Sequence, residues 1–267
     1  MSPTPSAFEG PIGLLHPGEM GAAIAAALVQ VGHRVLWASS GRSDLTRKRA
    51  AAAGLEDVGS VPDLVENSAL VLSICPPSNA YEVAKSASGP NSVYVDANAI
   101  SPRTSKIIAS LIETNGGRYV DGSIIGRPPS QKGDVRLYLS GTCASAVSAL
   151  FSPTIVGACV LGEEVGVASA LKMAYAGWSK GQLALLLAVR EYSLAEGIDQ
   201  ALLEEWRISM PSAEADYATA ARLAGAKGWR WVGEMDEIAK SFSDAGVPDG
   251  FHRAASEIYL SRSRAAS

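Results

Sequence analysis

Between residues 11 and 120 the chain alternates short apolar runs with stretches of helical apolar spacing. The apolar runs predict strands at residues 12–16, 34–37, 69–74, 92–95 and 119–120. The stretches between them predict helices at residues 19–31, 43–53, 78–87 and 102–115. Two later runs, 135–140 and 154–161, predict further strands around a short helix. Because strand and helix alternate through right-handed crossovers, the pattern predicts an α/β domain with a parallel sheet.

The stretch from residue 163 to residue 196 is the main sequence feature of the second half of the chain. It contains no proline and is rich in alanine and leucine, which favours one long helix. Helical spacing continues beyond it, with breaks expected at Pro211, Gly228 and residues 246–248. The helices predicted there cover residues 199–209, 212–226, 229–245 and 250–262. We therefore expect an all-α domain joined to the first domain by the long helix.

The charge and composition of the chain limit the classes of molecule that it is expected to bind. The 267 residues carry a formal net charge of -4 and contain no basic run, which argues against nucleic acid or an anionic membrane surface as a partner. Apolar runs such as residues 183–189 are too short to cross a membrane. Cys75, Cys143 and Cys159 show no paired spacing, which indicates a reducing cytoplasm and argues against a disulfide framework or a metal site. Residues 1–10 are expected to form a flexible tail.

A glycine-containing turn follows the first predicted strand and opens the first helix, as a dinucleotide-binding fingerprint requires. Gly18 would let the backbone approach a pyrophosphate, and Gly21 would let the helix pack closely. Glu19 and Met20 lie at the helix N-terminus, whose amides and dipole attract phosphate. Because His16 replaces the first glycine of the fingerprint, the turn by itself would also fit a plain strand–helix connection.

The segment after the second predicted strand contains Ser39, Ser40 and Arg42. An NAD site usually offers an acidic residue here for the ribose 2′-hydroxyl, but this chain has none before Asp44. Hydroxyl groups and a guanidinium suit a 2′-phosphate instead. The cofactor is therefore predicted to be NADP(H), unless Arg42 only caps a solvated loop.

Three later strand ends are expected at the same crevice, because ligands bind beyond the carboxyl edge of such sheets. Cys75, Pro76 and Pro77 form a stiff loop that could wall the cofactor. Asn98 and Ser123 are uncharged hydrogen-bonding residues suited to an amide or a carbonyl group. The same residue types are also common in ordinary turns.

The long predicted helix places Lys172, Tyr175, Ala176 and Ser179 on one face. A lysine on an alanine-rich face is unusual. If it is desolvated, its pKa falls toward neutrality, where an amine works as a general acid or base. The alternative is a lysine that extends into solvent.

These blocks, in this order, resemble the β-hydroxyacid dehydrogenase superfamily, which includes 6-phosphogluconate and 3-hydroxyisobutyrate dehydrogenases. The matching pieces are Gly18-Glu-Met-Gly21, Cys75-Pro-Pro77, Asp96 with Ser101-Pro102, Asp121 with Gly126, Gly166, and Lys172-Met-Ala-Tyr-Ala-Gly177. The last of these is similar to the family's catalytic Lys-Met-Val-His-Asn-Gly. The C-terminal part resembles a little-characterised bacterial branch with a C-terminal domain of its own.

The resemblance implies a dinucleotide-binding Rossmann domain over residues 11–162. It implies a helical domain over residues 163–267, which binds substrate and forms a homodimer through its helices. The implied reaction transfers a hydride between the nicotinamide and a small carbonyl or β-hydroxy substrate, with Lys172 as general acid or base. Tyr175 would assist at the same oxygen, and Ser123 and Asn98 would orient substrate or nicotinamide.

The chain departs from the family at several of these positions. Ile125 stands where the family has a serine that holds the substrate carboxylate, and Tyr175 and Ala176 replace a histidine and an asparagine. Arg127 could hold an anionic group in place of that serine. Imine reductases of the same architecture commonly carry Asp or Tyr at the lysine position, so Lys172 favours carbonyl chemistry. An imine reductase and a non-catalytic NADPH-binding protein are the alternatives.

Overall fold

The computed structural model describes residues 8–90 and 92–265, with side chains as far as residue 263. Residues 1–7 of the expected tail lie outside the described residues. The chain divides into two compact units between Lys172 and Met173, within a long helix. The two units are described separately.

Strands and helices alternate through the first unit. Its strands are β1 (Ile12–Leu15), β2 (Val35–Trp37), β3 (Glu56–Asp57), β4 (Leu70–Ser73), β5 (Val93–Asp96), β6 (Arg118–Gly126), β7 (Val135–Ser140) and β8 (Gly157–Gly162). Its helices are α1 (Glu19–Gln30), α2 (Asp44–Ala52), α3 (Val61–Glu66), α4 (Ala80–Ser86), α5 (Pro102–Thr114) and α6 (Ala144–Phe151). The strand β3 and the helix α3 were not expected from the sequence.

Across the described residues these strands form one sheet in the order β3-β2-β1-β4-β5-β6-β7-β8. All neighbouring strands are parallel except β6 and β7, which pair antiparallel. Alternate residues of the buried strands supply two apolar clusters, with Leu14 and Leu72 in one and Leu15 and Val71 in the other. Because a parallel sheet is covered on both faces, its strands read as continuous apolar runs. The predicted Rossmann-type domain is confirmed.

Serine hydroxyls define where three of the helices begin. Ser43, Ser60 and Ser101 cap α2, α3 and α5, each accepting a hydrogen bond from the backbone amide three residues later. A serine in this position satisfies a helix amide that would otherwise lack a partner. Proline follows Ser101 at the first position of α5, where its missing amide costs nothing.

The strand β6 is longer than the prediction of 119–120. It pairs with β5 only as far as Asp121, and then continues to Gly126 as one arm of a hairpin with β7. The antiparallel partner explains the length, because residues 122–126 hydrogen-bond to β7 where β5 has already ended. The extension carries Ser123 beyond the carboxyl edge of the parallel strands.

Asp121 connects β6 to three other elements. Its carboxylate is fully buried and accepts hydrogen bonds from the hydroxyls of Ser105 on α5 and Ser140 on β7, at 3.0 and 3.1 Å. It also accepts from the amides of Gly166 and Ser169 at 3.0 and 2.9 Å, and from the Ser169 hydroxyl at 2.6 Å. These last two residues form the start of the helix α7 (Val167–Ala195). An ionised carboxylate only accepts hydrogen bonds, and it is favoured near a helix N-terminus.

The second unit is helical, as predicted. After α7, which begins in the first unit, it contains α8 (Asp199–Ser209), α9 (Ala213–Asp244) and α10 (Gly250–Ala265). The predicted helix break at Gly228 is wrong, because α9 continues through it. A Cβ atom at Gly228 would lie 3.6 Å from the Tyr259 carbonyl oxygen on α10, so this glycine marks close helix packing. Tertiary packing of this kind outweighs the cost of about 1 kcal/mol for glycine in a helix.

One face of α7 within the second unit carries exposed apolar side chains. Tyr175, Trp178, Leu185 and Tyr192 are exposed and follow heptad-like spacing. His252 is buried in the same unit, with its ring 4.2 Å from that of Phe242. Among the described residues, no helix is both long and apolar enough to cross a membrane.

We predict that Asp121→Asn lowers the free energy of unfolding by at least ~3 kcal/mol, because an amide cannot accept all of these hydrogen bonds. Denaturant unfolding followed by circular dichroism measures this change. The matched control is Asp236→Asn, at an exposed position in the middle of α9, which should change stability by less than about 0.5 kcal/mol. Similar values for the two variants would contradict the anchoring role of Asp121.

Candidate functional site

The carboxyl edge of the sheet collects most of the predicted site residues. The register aligns Leu15, Ser73, Asp96 and Asp121 in one row across β1, β4, β5 and β6. The residues that follow this row therefore lie together beyond the edge. The strand order also reverses at β1, which has β2 on one side and β4 on the other. Such a reversal forms the crevice in which α/β sheets bind ligands.

The turn between β1 and α1 leaves room for a ligand. A Cβ atom at Gly18 would meet nothing closer than the His16 carbonyl oxygen at 4.0 Å, so packing within the protein does not require this glycine. At Gly21 a Cβ atom would lie 2.8 Å from the same oxygen, so that glycine is required by the turn itself. No side chain caps α1 in the described chain, which suits a helix N-terminus that receives phosphate.

Two further residues of this turn have different environments. Glu19 is exposed in the first turn of α1, so only its backbone amide points to a phosphate-binding role. Met20 packs against the apolar cluster that contains Leu14, and thereby holds the start of the helix to the sheet.

A carboxylate that was not predicted from the sequence lies beside the segment after β2. The short strand β3 places Asp57 opposite Trp37, and a hydrogen bond from Ser39 is the largest cause that lowers the pKa of Asp57. Ser39 is buried, whereas Ser40 is exposed. Arg42 is half-buried, and its Nε atom is shielded without a hydrogen-bond partner in the protein. A cofactor phosphate fits this arrangement because it would supply acceptors for the guanidinium.

The loop after β4 is tied to the loop after β5. The Cys75 amide donates a hydrogen bond to Asn98 Oδ1 at 2.6 Å, and Asn98 Nδ2 donates to Ser73 Oγ at 3.2 Å. Asn98 thus positions the wall formed by Pro76, which is exposed, and Pro77, which begins a short 3₁₀ turn. Burial raises the pKa of Cys75 to about 12, so its thiol is not a nucleophile near neutral pH.

Lys172 reaches the extension of β6 at Ile124, the residue that follows Ser123. Lys172 Nζ donates a hydrogen bond to the carbonyl oxygen of Ile124 at 2.7 Å, and the lysine is half-buried. Ser123 is fully buried, and its Oγ atom has no hydrogen-bond partner in the protein. An amine and a hydroxyl on neighbouring residues can both interact with one polar atom of a ligand. The Asp121 carboxylate fixes the helical turn from which Lys172 extends.

Three other predicted residues have different surroundings. Tyr175 belongs to the second unit and is half exposed on α7. Ile125 is buried, as its apolar side chain requires. Arg127 is exposed, and its Nε and Nη2 atoms donate hydrogen bonds to Asp134 Oδ1 at 2.9 and 2.7 Å. The described residues contain no group of three potential metal ligands.

Asp96 is a second buried carboxyl group at the sheet edge. One oxygen accepts a hydrogen bond from the Asn98 amide at 3.0 Å, and the other has no partner. Burial raises the pKa of Asp96 to about 7, and the nearby Asp121 raises it further against the hydrogen bond from Asn98. Asp96 is therefore partly protonated at neutral pH.

Two known families match separate parts of the chain. Residues 11–100 match a family described as NADP oxidoreductase, coenzyme F420-dependent, which supports an oxidoreductase with a nicotinamide cofactor. Residues 195–261 match a domain of unknown function, DUF1932. An uncharacterised 28.5 kDa protein of Methanothermus fervidus is 35% identical over 167 residues, which are 61% of this chain and 63% of that relative. The matched segment thus spans less than two thirds of the relative.

Solved structures extend the similarity over almost the whole chain. A conserved protein of unknown function, described as similar in structure to 3-hydroxyacid dehydrogenases, is 26% identical, with a TM-score of 0.71 and coverage of 95% of this chain and 97% of that chain. The family models and this structure together support the hydroxyacid dehydrogenase-like superfamily for this chain. The resemblance predicted from the sequence is therefore confirmed.

Two enzymes of known activity share the fold at lower identity. The 3-hydroxyisobutyrate dehydrogenase of Salmonella typhimurium is 13% identical, with a TM-score of 0.73 and coverage of 96% of this chain and 95% of that chain. A reductive aminase from Aspergillus terreus, solved with NADPH and ethyl levulinate, is 17% identical, with a TM-score of 0.61 and coverage of 96% and 94%. These likenesses show the fold alone.

The pKa of Asp96 predicts how a variant's stability depends on pH. Because the folded-state pKa of about 7 lies above the ordinary aspartate value of 3.8, the folded protein binds this proton more tightly, and stability falls as pH rises from about 4 to 7. Asp96→Asn keeps the acceptor for the Asn98 amide and removes the titration. Relative to wild type, the variant should gain stability between pH 4.5 and pH 8, on the order of a few kcal/mol. Unfolding in urea at both pH values measures the gain, and an equal difference at both would contradict the burial argument.

Proposed function

We propose that this protein is an NADPH-dependent oxidoreductase that reduces a small carbonyl substrate, or oxidises the corresponding alcohol, with Lys172 as general acid or base. The observation that supports it most directly is the Lys172 ammonium 2.7 Å from the Ile124 carbonyl oxygen, beside the buried Ser123 hydroxyl. This arrangement lies at the sheet edge that also carries the glycine turn. Hydride-transfer chemistry needs a bound dinucleotide and a nearby group that transfers a proton, and this sheet edge offers candidates for both.

The cofactor would bind along the turn after β1 and the segment after β2. Gly18 would admit the pyrophosphate next to the N-terminus of α1, and Arg42 would face the 2′-phosphate. The Cys75–Pro77 loop, held by Asn98, would form a wall of the cofactor site. When bound, the nicotinamide supplies or accepts the hydride.

In the reduction direction, the substrate carbon gains the hydride and its oxygen needs a proton. Lys172 would deliver that proton to the oxygen, and would take it back in the oxidation direction. Ser123 would donate a hydrogen bond to the same oxygen, which gives its unpartnered hydroxyl a role. Tyr175 as an assisting donor remains a prediction.

The substrate is proposed to be a neutral carbonyl compound. The position that holds a carboxylate in the superfamily carries the buried Ile125, and the charge of Arg127 is compensated by Asp134. A carboxylate placed beside Ile125 would lose its water without gaining a hydrogen bond there. Homodimerisation through the C-terminal helices also remains a prediction, supported by the exposed apolar face of α7 and testable by sedimentation equilibrium.

We predict that Lys172→Ala lowers turnover at least ~100-fold, because the oxygen loses its proton donor, while NADPH binding changes little. NADPH oxidation should be followed with small aldehydes, semialdehydes and a cyclic imine, so that carbonyl and imine reduction are separated. Lys106→Ala, at an exposed lysine on α5, is the matched control and should keep full activity. A fully active Lys172→Ala variant would contradict the catalytic role of Lys172. Activity of the wild type on the imine alone would favour an imine reductase.

We further predict that NADPH binds at least ~10-fold more tightly than NADH, because a guanidinium forms charge-assisted hydrogen bonds with a phosphate. Titration of the intrinsic tryptophan fluorescence measures both affinities. Arg42→Ala should reduce the NADPH affinity to that for NADH. Arg118→Ala, at the opposite end of the parallel strands, should change neither affinity. Equal affinities in the wild type would show that Arg42 does not select the cofactor.

A further inference from the structure

His16 has an unfavourable backbone conformation. Its φ angle is 68°, and it is the only non-glycine residue of the described chain with a positive φ. The left-handed conformation is unfavourable for an L-residue with a Cβ atom, whereas glycine adopts it readily. This is also the position of the first glycine in the dinucleotide fingerprint. Folding alone therefore favours glycine here, and the imidazole needs another explanation.

The imidazole and Arg42 follow two neighbouring parallel strands, β1 and β2, at the carboxyl edge of the sheet. Burial, followed by the charge of Arg42, lowers the pKa of His16 to about 4, so the ring is neutral near pH 7. Its Nδ1 atom is shielded and has no hydrogen-bond partner in the protein, and the same holds for Arg42 Nε. Cys75, with its protonated thiol, also lies near Arg42. The loops after β1, β2 and β4 thus contribute a guanidinium, an imidazole and a thiol to one place.

An anion with several oxygen atoms would satisfy this cluster. Shielded polar atoms without partners cost free energy, and phosphate oxygens can accept hydrogen bonds from both an imidazole and a guanidinium. The pyrophosphate is expected at Gly18 and the N-terminus of α1. His16, by contrast, lies on the side of the segment after β2. Dinucleotide-binding sheets place the adenosine ribose at that segment. The 2′-phosphate is the anion that belongs at that position.

We propose that His16 and Arg42 together bind the 2′-phosphate of NADPH, so that the histidine is a specificity residue in place of the usual glycine. This inference rests on the proposed function, because it requires a dinucleotide in the crevice. The backbone strain at His16 is retained because the side chain contacts the phosphate.

The test compares 2′,5′-ADP with 5′-AMP, which differ only in the 2′-phosphate, by isothermal titration calorimetry on the full chain. His16→Gly and His16→Asn suit it, because both replacements tolerate the positive φ and keep the fold. We expect each variant to bind 2′,5′-ADP about tenfold more weakly and 5′-AMP within about twofold of wild type. In an Arg42→Ala background the effect of His16→Gly should shrink, as for two residues that share one ligand group. His33→Asn, at a histidine in the turn before β2, is the control and should leave both affinities unchanged.

Two outcomes separate this inference from the proposed function. If His16→Gly weakens the binding of 5′-AMP and 2′,5′-ADP equally, the histidine acts on the shared part of the ligand or on the fold, and the inference is overturned. The proposed function would stand in that case. If the wild type binds neither NADPH nor 2′,5′-ADP, the proposed function itself is overturned.

Discussion

The structure around the candidate site depends on one buried carboxylate. Asp121 accepts hydrogen bonds from α5, from β7 and from the first turn of α7, so it joins three elements that are distant in sequence. Ser169, which donates both its amide and its hydroxyl, lies three residues before Lys172. The position of the lysine side chain is therefore set by a polar contact on the sheet and not by apolar packing alone. A buried charge is tolerated here because donors surround it, and the same geometry restricts the helix to one position on the sheet.

The length of β6 determines which residues lie within reach of Lys172 at the sheet edge. If β6 ended with its parallel neighbours, Ser123 and Ile124 would belong to an irregular loop. The antiparallel pairing with β7 keeps them in a regular strand, so the Ile124 carbonyl oxygen is fixed where Lys172 can reach it. The cofactor part of the crevice is built differently, from turns at β1, β2 and β4. In the proposed function, a rigid strand would thus carry the chemistry of proton transfer, and short loops would carry the recognition of phosphate.

The alternation of strands and helices could be predicted from sequence because buried parallel strands are continuous apolar runs. The glycine turn and Lys172 could be found because each has a local signal. Three features had none. The strand β3 consists of Glu56 and Asp57, which have no apolar pattern, and so the carboxylate beside Ser39 was missed. Gly228 looks like a helix break until α10 is packed against it. The role of Asp121 depends on donors up to 48 residues away, which no local pattern shows.

Strain and unpaired polar atoms indicate function most clearly when neither is needed for the fold. Ser123 could be replaced by alanine without loss of any hydrogen bond within the protein, and glycine at position 16 would relieve the backbone. Each of these two residues therefore makes the ligand-free protein less stable than the substituted protein would be. Such a cost matters, because folded proteins are typically stable by only about 5–15 kcal/mol. A bound ligand offsets such costs, because it supplies the missing partner only when it is present. Both residues lie beyond the carboxyl edge of the sheet. The two costs are thus found where a dinucleotide and its substrate would compensate them.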